Sequence, residues 1–201
     1  MSDAMNIVVI PDGPLKISNA DDVYFDGEAQ DVPVDVYLCR CGDSKRAPFC
    51  DGAHRAVGFS GACERAPAGK IRVWEGQTLR TFFNADACMH VYSCKPLKAL
   101  RAQEEAGDAE AAAEIIRVVG TCPSGALSYE AKTDLPEPEV KTAESVIDII
   151  AGGEIRVKGA FAINTPLLDR MAGDKATLCR CGRSKSKPWC DGRHKGRKDF
   201  R

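Results

Sequence analysis

The strongest constraint on this chain is that part of it recurs at a fixed distance. Leu38-Cys39-Arg40-Cys41-Gly42 returns as Leu178-Cys179-Arg180-Cys181-Gly182. Ser44-Lys45, Pro48, Cys50-Asp51-Gly52 and His54 return as Ser184-Lys185, Pro188, Cys190-Asp191-Gly192 and His194. The offset is 140 throughout, without a gap. Upstream, Gly13-Pro14-Leu15-Lys16-Ile17 aligns with Gly153-Glu154-Ile155-Arg156-Val157 at the same offset. Both segments alternate apolar and basic residues, the pattern of a half-buried strand. Each copy thus reads as a strand, a variable connection and a cysteine-rich loop. Two copies in one chain supply internally the contact that a homodimer makes between chains. Two halves about a pseudo-twofold axis, and a monomer, are expected.

Between the copies lies a segment of another kind, from about Ile71 to Glu130. Ile71–Trp74 and Leu79–Phe83 read as two strands around Glu75-Gly76-Gln77. Asp108 is placed to cap a helix running to about Val119, with Ala111, Ile115, Val118 and Val119 on its buried side and Gly120 at its end. Leu135-Pro136-Glu137-Pro138-Glu139 reads as a stiff polar linker.

The chain has 201 residues, ten of them cysteine, with a net charge of -1. No run of about 18 apolar residues occurs, so no membrane span is expected. The N-terminus lacks the basic and apolar regions of a secretory signal, and a cytoplasmic location is expected. In a reducing compartment, tight cysteine clusters with nearby histidine favour metal ligation over disulfides. Nine of the ten cysteines and all three histidines fall inside motifs; Cys63 alone stands apart. It reads as a buried bystander, with a ligand role as the alternative. Met89, Tyr92 and Trp74 read as core or shielding residues. Charge is uneven: Met1–Leu38 holds eight acids and one lysine, and Cys179–Arg201 holds nine Lys/Arg against two Asp. Solvation or mutual contact of the two ends explains this, and a docking patch is the sharper alternative.

Each terminal motif reads Cys-x-Cys, eight residues, Cys, three residues, His. The close cysteines suit one metal centre, and Asp51-Gly52 and Asp191-Gly192 suit a tight turn whose amides point at sulfur. Zinc is the rival occupant, since three cysteines and a histidine can close a tetrahedral site, although zinc knuckles usually show Cys-x2-Cys. The pattern resembles the CDGSH iron–sulfur domain family, in the tandem-motif form. Cys39 to His54 meets every family position, and Cys179 to His194 departs only at Arg193, where a small residue is preferred. The resemblance implies a 2Fe–2S cluster on Cys39, Cys41, Cys50 and His54, and a second on Cys179, Cys181, Cys190 and His194.

In the middle, Cys88-Met89-His90-Val91-Tyr92-Ser93-Cys94 is followed by Cys122-Pro123-Ser124-Gly125-Ala126-Leu127. Bacterial ferredoxins use Cys-x2-Cys-x2-Cys and a remote Cys-Pro. On that frame Cys88, Cys94 and Cys122 are ligands, and Val91 occupies the remaining position. The stretch resembles the divergent single-cluster ferredoxins often described as 4Fe–4S, with Cys-x-His-x3-Cys and Cys-Pro-Ser-Gly-Ala-Leu. The acidic, tryptophan-containing stretch usual between those halves is absent here. Three thiolates suffice for 3Fe–4S; 4Fe–4S needs a fourth ligand from His90, Cys63 or water.

The expected fold class is α+β: two pseudo-symmetric CDGSH modules of short strands and cluster loops, joined by a small ferredoxin-like α+β insert. The expected domains are a first module at 1–62, the insert at 63–132, a linker at 133–143 and a second module at 144–201. The expected function is electron transfer with an unidentified redox partner protein, without catalysis. No Ser-His-Asp set, paired carboxylates or phosphate-cradling glycine loop occurs. A cluster carrier or oxidant sensor is the alternative. Nucleic-acid binding through Arg183–Arg201 is not expected, because the chain as a whole is not basic and lacks an aromatic reading surface.

Overall fold

The structure is a computed structural model describing residues 4–65, 71–91, 93–132, 144–165, 174–197 and 200. The Leu135–Glu139 linker and Tyr92 lie outside the described residues. The class is α+β, with mostly short strands and three helices. Among the described residues, no helix is long and apolar enough to cross a membrane.

The first copy contributes strands β1 (Met5–Val9), β2 (Leu15–Ser18), β3 (Asp22–Phe25), β4 (Glu28–Ala29) and β5 (Asp35–Leu38). The insert adds β6 (Ile71–Glu75), β7 (Leu79–Asn84) and β8 (Leu127–Ala131). The second copy gives β9 (Val146–Ile149), β10 (Ile155–Lys158), β11 (Phe161–Asn164) and β12 (Lys175–Leu178). The alternation seen in sequence is real burial: Leu15 and Ile17 on β2, and Ile155 and Val157 on β10, are fully buried, while the basic residues between and after them reach water.

The strand orders are β11-β1-β2-β5 and β12-β10-β9-β3-β4. At the offset of 140, β1, β2, β3 and β5 correspond to β9, β10, β11 and β12. Applying that shift to the first order reproduces the second, β4 apart. The third strand of each copy therefore pairs in the other copy's sheet. β1 runs parallel to β11, with Ile7 opposite Ile163, and β3 runs parallel to β9, with Val23 opposite Ile147. One hydrophobic cluster draws on both sheets, with Ile7, Leu38, Ile147 and Leu178 all at 0% exposure. Alternation marks which face of a strand is buried but carries no information about which sheet it joins.

The insert keeps its own core. β6-β7-β8 is antiparallel, as expected for the first two strands around Gly76. Helix α2 (Leu97–Glu105) and helix α3 (Ala109–Gly120) pack on it, following the one-turn helix α1 (Ala53–Ala56) of the first copy. Asp108 caps α3 as expected, its side chain accepting from Glu110 N and Ala111 N, and Ala111, Ile115, Val118 and Val119 are buried. Gly120 is the last helical residue.

A buried carboxylate that the sequence did not flag ties α2 to the hairpin. Glu104, 1% exposed, accepts from Gln77 N, Thr78 N, Thr78 Oγ1 and Leu79 N at 2.6–3.3 Å. Burial alone would raise its pKa, yet the donors led by Thr78 hold it below the ordinary glutamate value. Its contribution is therefore complete above the ordinary value and is lost as pH falls through the lowered one. Each buried donor left unpaired costs about 1–3 kcal/mol. Glu104→Leu orphans three amides and should destabilise the insert by at least about 3 kcal/mol. Urea unfolding followed by Trp74 fluorescence measures this, and an unchanged midpoint would contradict it.

Candidate metal centres

Each terminal loop is pinned at its base. After β5, Cys39 N donates to Pro48 O at 2.9 Å and Cys50 N to Tyr37 O at 2.8 Å, which draws the third cysteine back beside the first pair. Cys179 N donates to Pro188 O at 2.7 Å and Cys190 N to Thr177 O at 2.9 Å in the second loop. Ser44 Oγ donates to Phe49 O and Ser184 Oγ to Trp189 O, both at 2.6 Å. Asp51 and Asp191 accept from Lys45 N and Lys185 N, and also from the amides two residues on, Ala53 N and Arg193 N. These acids therefore act in turns, as the sequence suggested. Gly52 N and Gly192 N each donate to the preceding cysteine sulfur at 3.4 Å. Amides so directed favour a thiolate there.

The candidate ligand atoms fall into pairs. Cys39 Sγ and Cys41 Sγ are 3.6 Å apart, and Cys50 Sγ and His54 Nδ1 are 3.5 Å apart. In the second loop the separations are 3.8 Å for Cys179 and Cys181 and 3.4 Å for Cys190 and His194 Nδ1. Two thiolates on one tetrahedral metal stand ~3.8 Å apart, and a thiolate and an imidazole ~3.5 Å, for ordinary bond lengths. Each pair thus has the spacing of two ligands on a single metal atom. The pairs of one loop do not merge. Among the described residues, only Glu154, Cys190 and His194 form a group of three such side chains with all ligand atoms within 4.8 Å.

Burial pushes the Cys190 thiol up to about 12 and raises Cys41 as well. Such thiols are protonated near neutrality unless a metal takes the proton's place. The His194 imidazole is lowered by burial, with the Glu154 carboxylate opposing.

The two loops meet back to back. Arg197 Nη1 donates to Cys41 O at 3.1 Å and to Cys181 O at 2.8 Å, and its Nη2 reaches Asp43. Gly42 and Gly182 sit against the opposite loop, where a Cβ on Gly182 would stand 2.5 Å from Cys41 O. Arg40 and Arg180, 3% and 1% exposed, lie between the loops. Each is lowered by burial and held up by the first cysteine of the other copy, Cys179 for Arg40 and Cys39 for Arg180. Arg40 donates to Gly13 O and Ile10 O, and Arg180 to Ile150 O, while Arg40 Nη1 and Arg180 Nε remain unpartnered. Two buried cations with spare donors call for nearby negative charge. A thiolate-ligated iron–sulfur cluster carries such charge, so the residues present fit one in each loop.

In the insert, Cys88, Cys94 and Cys122 line one small cavity with Met89, Ser124 and Leu127. Cys122 is 8% exposed and Met89 1%. His90 is exposed with φ 55, its amide donating to Cys88 Sγ at 3.4 Å and its Nδ1 lying 3.7 Å from that sulfur. Val91 is 37% exposed. Cys63 is elsewhere, its thiol donating to Arg65 O and Lys185 O. The insert abuts the second loop. Thr177 Oγ1 donates to Pro123 O at 2.9 Å, and a Cβ on Gly192 would meet Met89 O at 2.7 Å. The second terminal loop therefore touches both of the others.

Comparison with known families agrees with this arrangement. The family described as iron-binding zinc finger CDGSH type matches residues 9–55 and again 152–195. The family described as divergent 4Fe-4S mono-cluster matches residues 74–132. Two CDGSH-type segments thus flank a divergent mono-cluster segment, the tandem arrangement the sequence suggested. No curated protein and no solved structure matches it.

Sequence reasoning missed Glu154, Arg40, Arg180 and Arg197. Arg40 and Arg180 were visible as the repeated residue between the paired cysteines. Nothing in the sequence marked Glu154, which stands where the first copy has Pro14.

Proposed function

We propose that the chain is an iron–sulfur electron-transfer protein of two pseudo-symmetric modules and a ferredoxin-like insert. Cys39, Cys41, Cys50 and His54 hold one 2Fe–2S cluster, and Cys179, Cys181, Cys190 and His194 hold the other. Cys88, Cys94 and Cys122 hold a 3Fe–4S cluster. Bound, such groups accept and release single electrons. The observation that carries the reading is the pairing of ligand atoms, since a mononuclear zinc would draw all four within ~3.8 Å of one another. The protein is a carrier rather than a catalyst, and its counterpart is a redox partner protein. The strand pairings between copies support a monomer, which sedimentation at low micromolar concentration tests; an obligate dimer would contradict it.

Metal and sulfide analysis together with EPR tests the cluster assignment. Air-isolated protein should be coloured and contain about seven irons per chain, two, two and three. An oxidised 3Fe–4S centre is paramagnetic whereas oxidised 2Fe–2S centres are silent, so signals from the terminal sites should emerge only on reduction. A colourless protein with stoichiometric zinc would overturn the proposal.

One observation favours cluster donation as a second reading. His54 is half-buried where His194 is buried, and among the described residues its ring meets Cys50 alone in hydrogen bonding. A half-buried imidazole is more readily released than a thiolate. Incubation with an apo-ferredoxin, with gain of cluster by the acceptor, would support this reading.

A further inference from the structure

The two terminal sites are built from one repeated motif, yet they differ at the far side of the histidine. His194 turns Nδ1 to Cys190 and Nε2 to Glu154, whose Oε2 is 3.3 Å away. Glu154 is 4% exposed and His194 7%. The other carboxylate oxygen is occupied, since Arg156 Nε and Nη2 both reach Oε1 at 2.9 Å. Glu154 thus lies beside the ring, with a carboxylate oxygen also within 4.8 Å of the Cys190 sulfur, and is itself held in place by Arg156. The first copy has no equivalent. Pro14 stands at the corresponding position, and Lys16, the counterpart of Arg156, pairs instead with Asp35 at 2.8 Å.

From this geometry we infer that Glu154 is a positioning residue that makes the second terminal site lower in potential and firmer in its hold on iron than the first. The inference rests on the cluster reading above. A carboxylate this close to Nε2 favours the tautomer that carries the proton there, with the Nδ1 lone pair toward the metal, and makes the imidazole a stronger donor. A stronger donor and a buried negative charge beside it both favour the oxidised form over the more negative reduced form. With proline in place of glutamate, the first site has neither effect. Glu154 is not needed as a ligand, because three cysteines and His194 already complete the set and Arg156 holds its Oε1.

The experiment is an EPR-monitored redox titration of the full chain, paired with chelator-driven iron release followed by absorbance. In the native protein the 2Fe–2S signal should appear in two steps of equal amplitude, and iron should leave the two sites in two phases. Glu154→Gln keeps the shape but removes the charge, and should move only the lower step upward. Glu154→Leu removes the polar contact with Nε2 as well and should quicken the slow phase of release by roughly 10–100-fold, the usual effect of losing an outer-shell partner. A merely structural role for Glu154 would leave the position of the lower step unchanged. Should both variants fail to fold, a single step and a single phase in the native protein would still overturn the inference. Two unequal steps that ignore Glu154→Gln overturn it while leaving the cluster reading standing. A chain that binds zinc and shows no reducible signal overturns both.

Discussion

Replacing Cys122 with alanine is expected to abolish the paramagnetic signal of air-oxidised protein and to lower its iron from about seven to about four per chain. Cys122 follows α3 directly, and its sulfur closes the cavity shared with Cys88 and Cys94. No described cysteine stands ready to replace it, because the Cys63 thiol is engaged with the Arg65 and Lys185 carbonyls. Two thiolates cannot anchor three irons. The terminal loops should keep their iron, since their ligands leave different strands and the second loop meets this region at the Thr177 hydroxyl on the Pro123 carbonyl and where Gly192 lies against Met89 O, neither of which involves the Cys122 sulfur. Cys63→Ala is the control and should leave the signal at full strength. A signal that survives in Cys122→Ala would remove that residue from the ligand set.

Gly182→Ala should cause the largest loss of stability at the terminal sites. Gly182 has φ +75, and its Cβ would stand 2.5 Å from Cys41 O and 3.0 Å from Cys41 C. Both are backbone atoms of the facing loop, so no side chain can turn aside. The left-handed conformation alone costs a non-glycine residue roughly 1–2 kcal/mol. The forced separation also pulls apart the two carbonyls that Arg197 clamps, and should bring the total above about 4 kcal/mol. Gly52→Ala is the informative comparison. It has φ +88 but nothing within 4 Å of the added carbon, so only the roughly 1–2 kcal/mol conformational term applies. Denaturant unfolding of both variants measures the difference, and equal midpoints would mean that the loop contact contributes nothing. Iron at both terminal sites should fall in Gly182→Ala, because the contact is shared.

Local chemistry was legible from the sequence and long-range pairing was not. The spacing of Cys39, Cys41, Cys50 and His54 marked a site because chain geometry forces close residues together. The cap at Asp108 and the buried face of α3 followed from helical periodicity in the same way. The offset of 140 pointed to related halves, yet the crossing of β3 and β11 into opposite sheets could not be read from it. Both strands satisfy the same alternation in either sheet. Glu104 and Glu154 were hidden for a related reason: each looks like an ordinary surface acid until the fold surrounds it with donors.

The exchange of β3 and β11 within one chain frees the two halves from having to be identical. In a symmetric dimer of a single motif, one codon change alters both sites at once, and any substitution must suit both. Here the partner strand is encoded separately. A glutamate can enter one site while a proline remains in the other, with the shared core preserved between them. Carrying both copies in one chain thus gives the protein two independently adjustable positions where a dimer would have one.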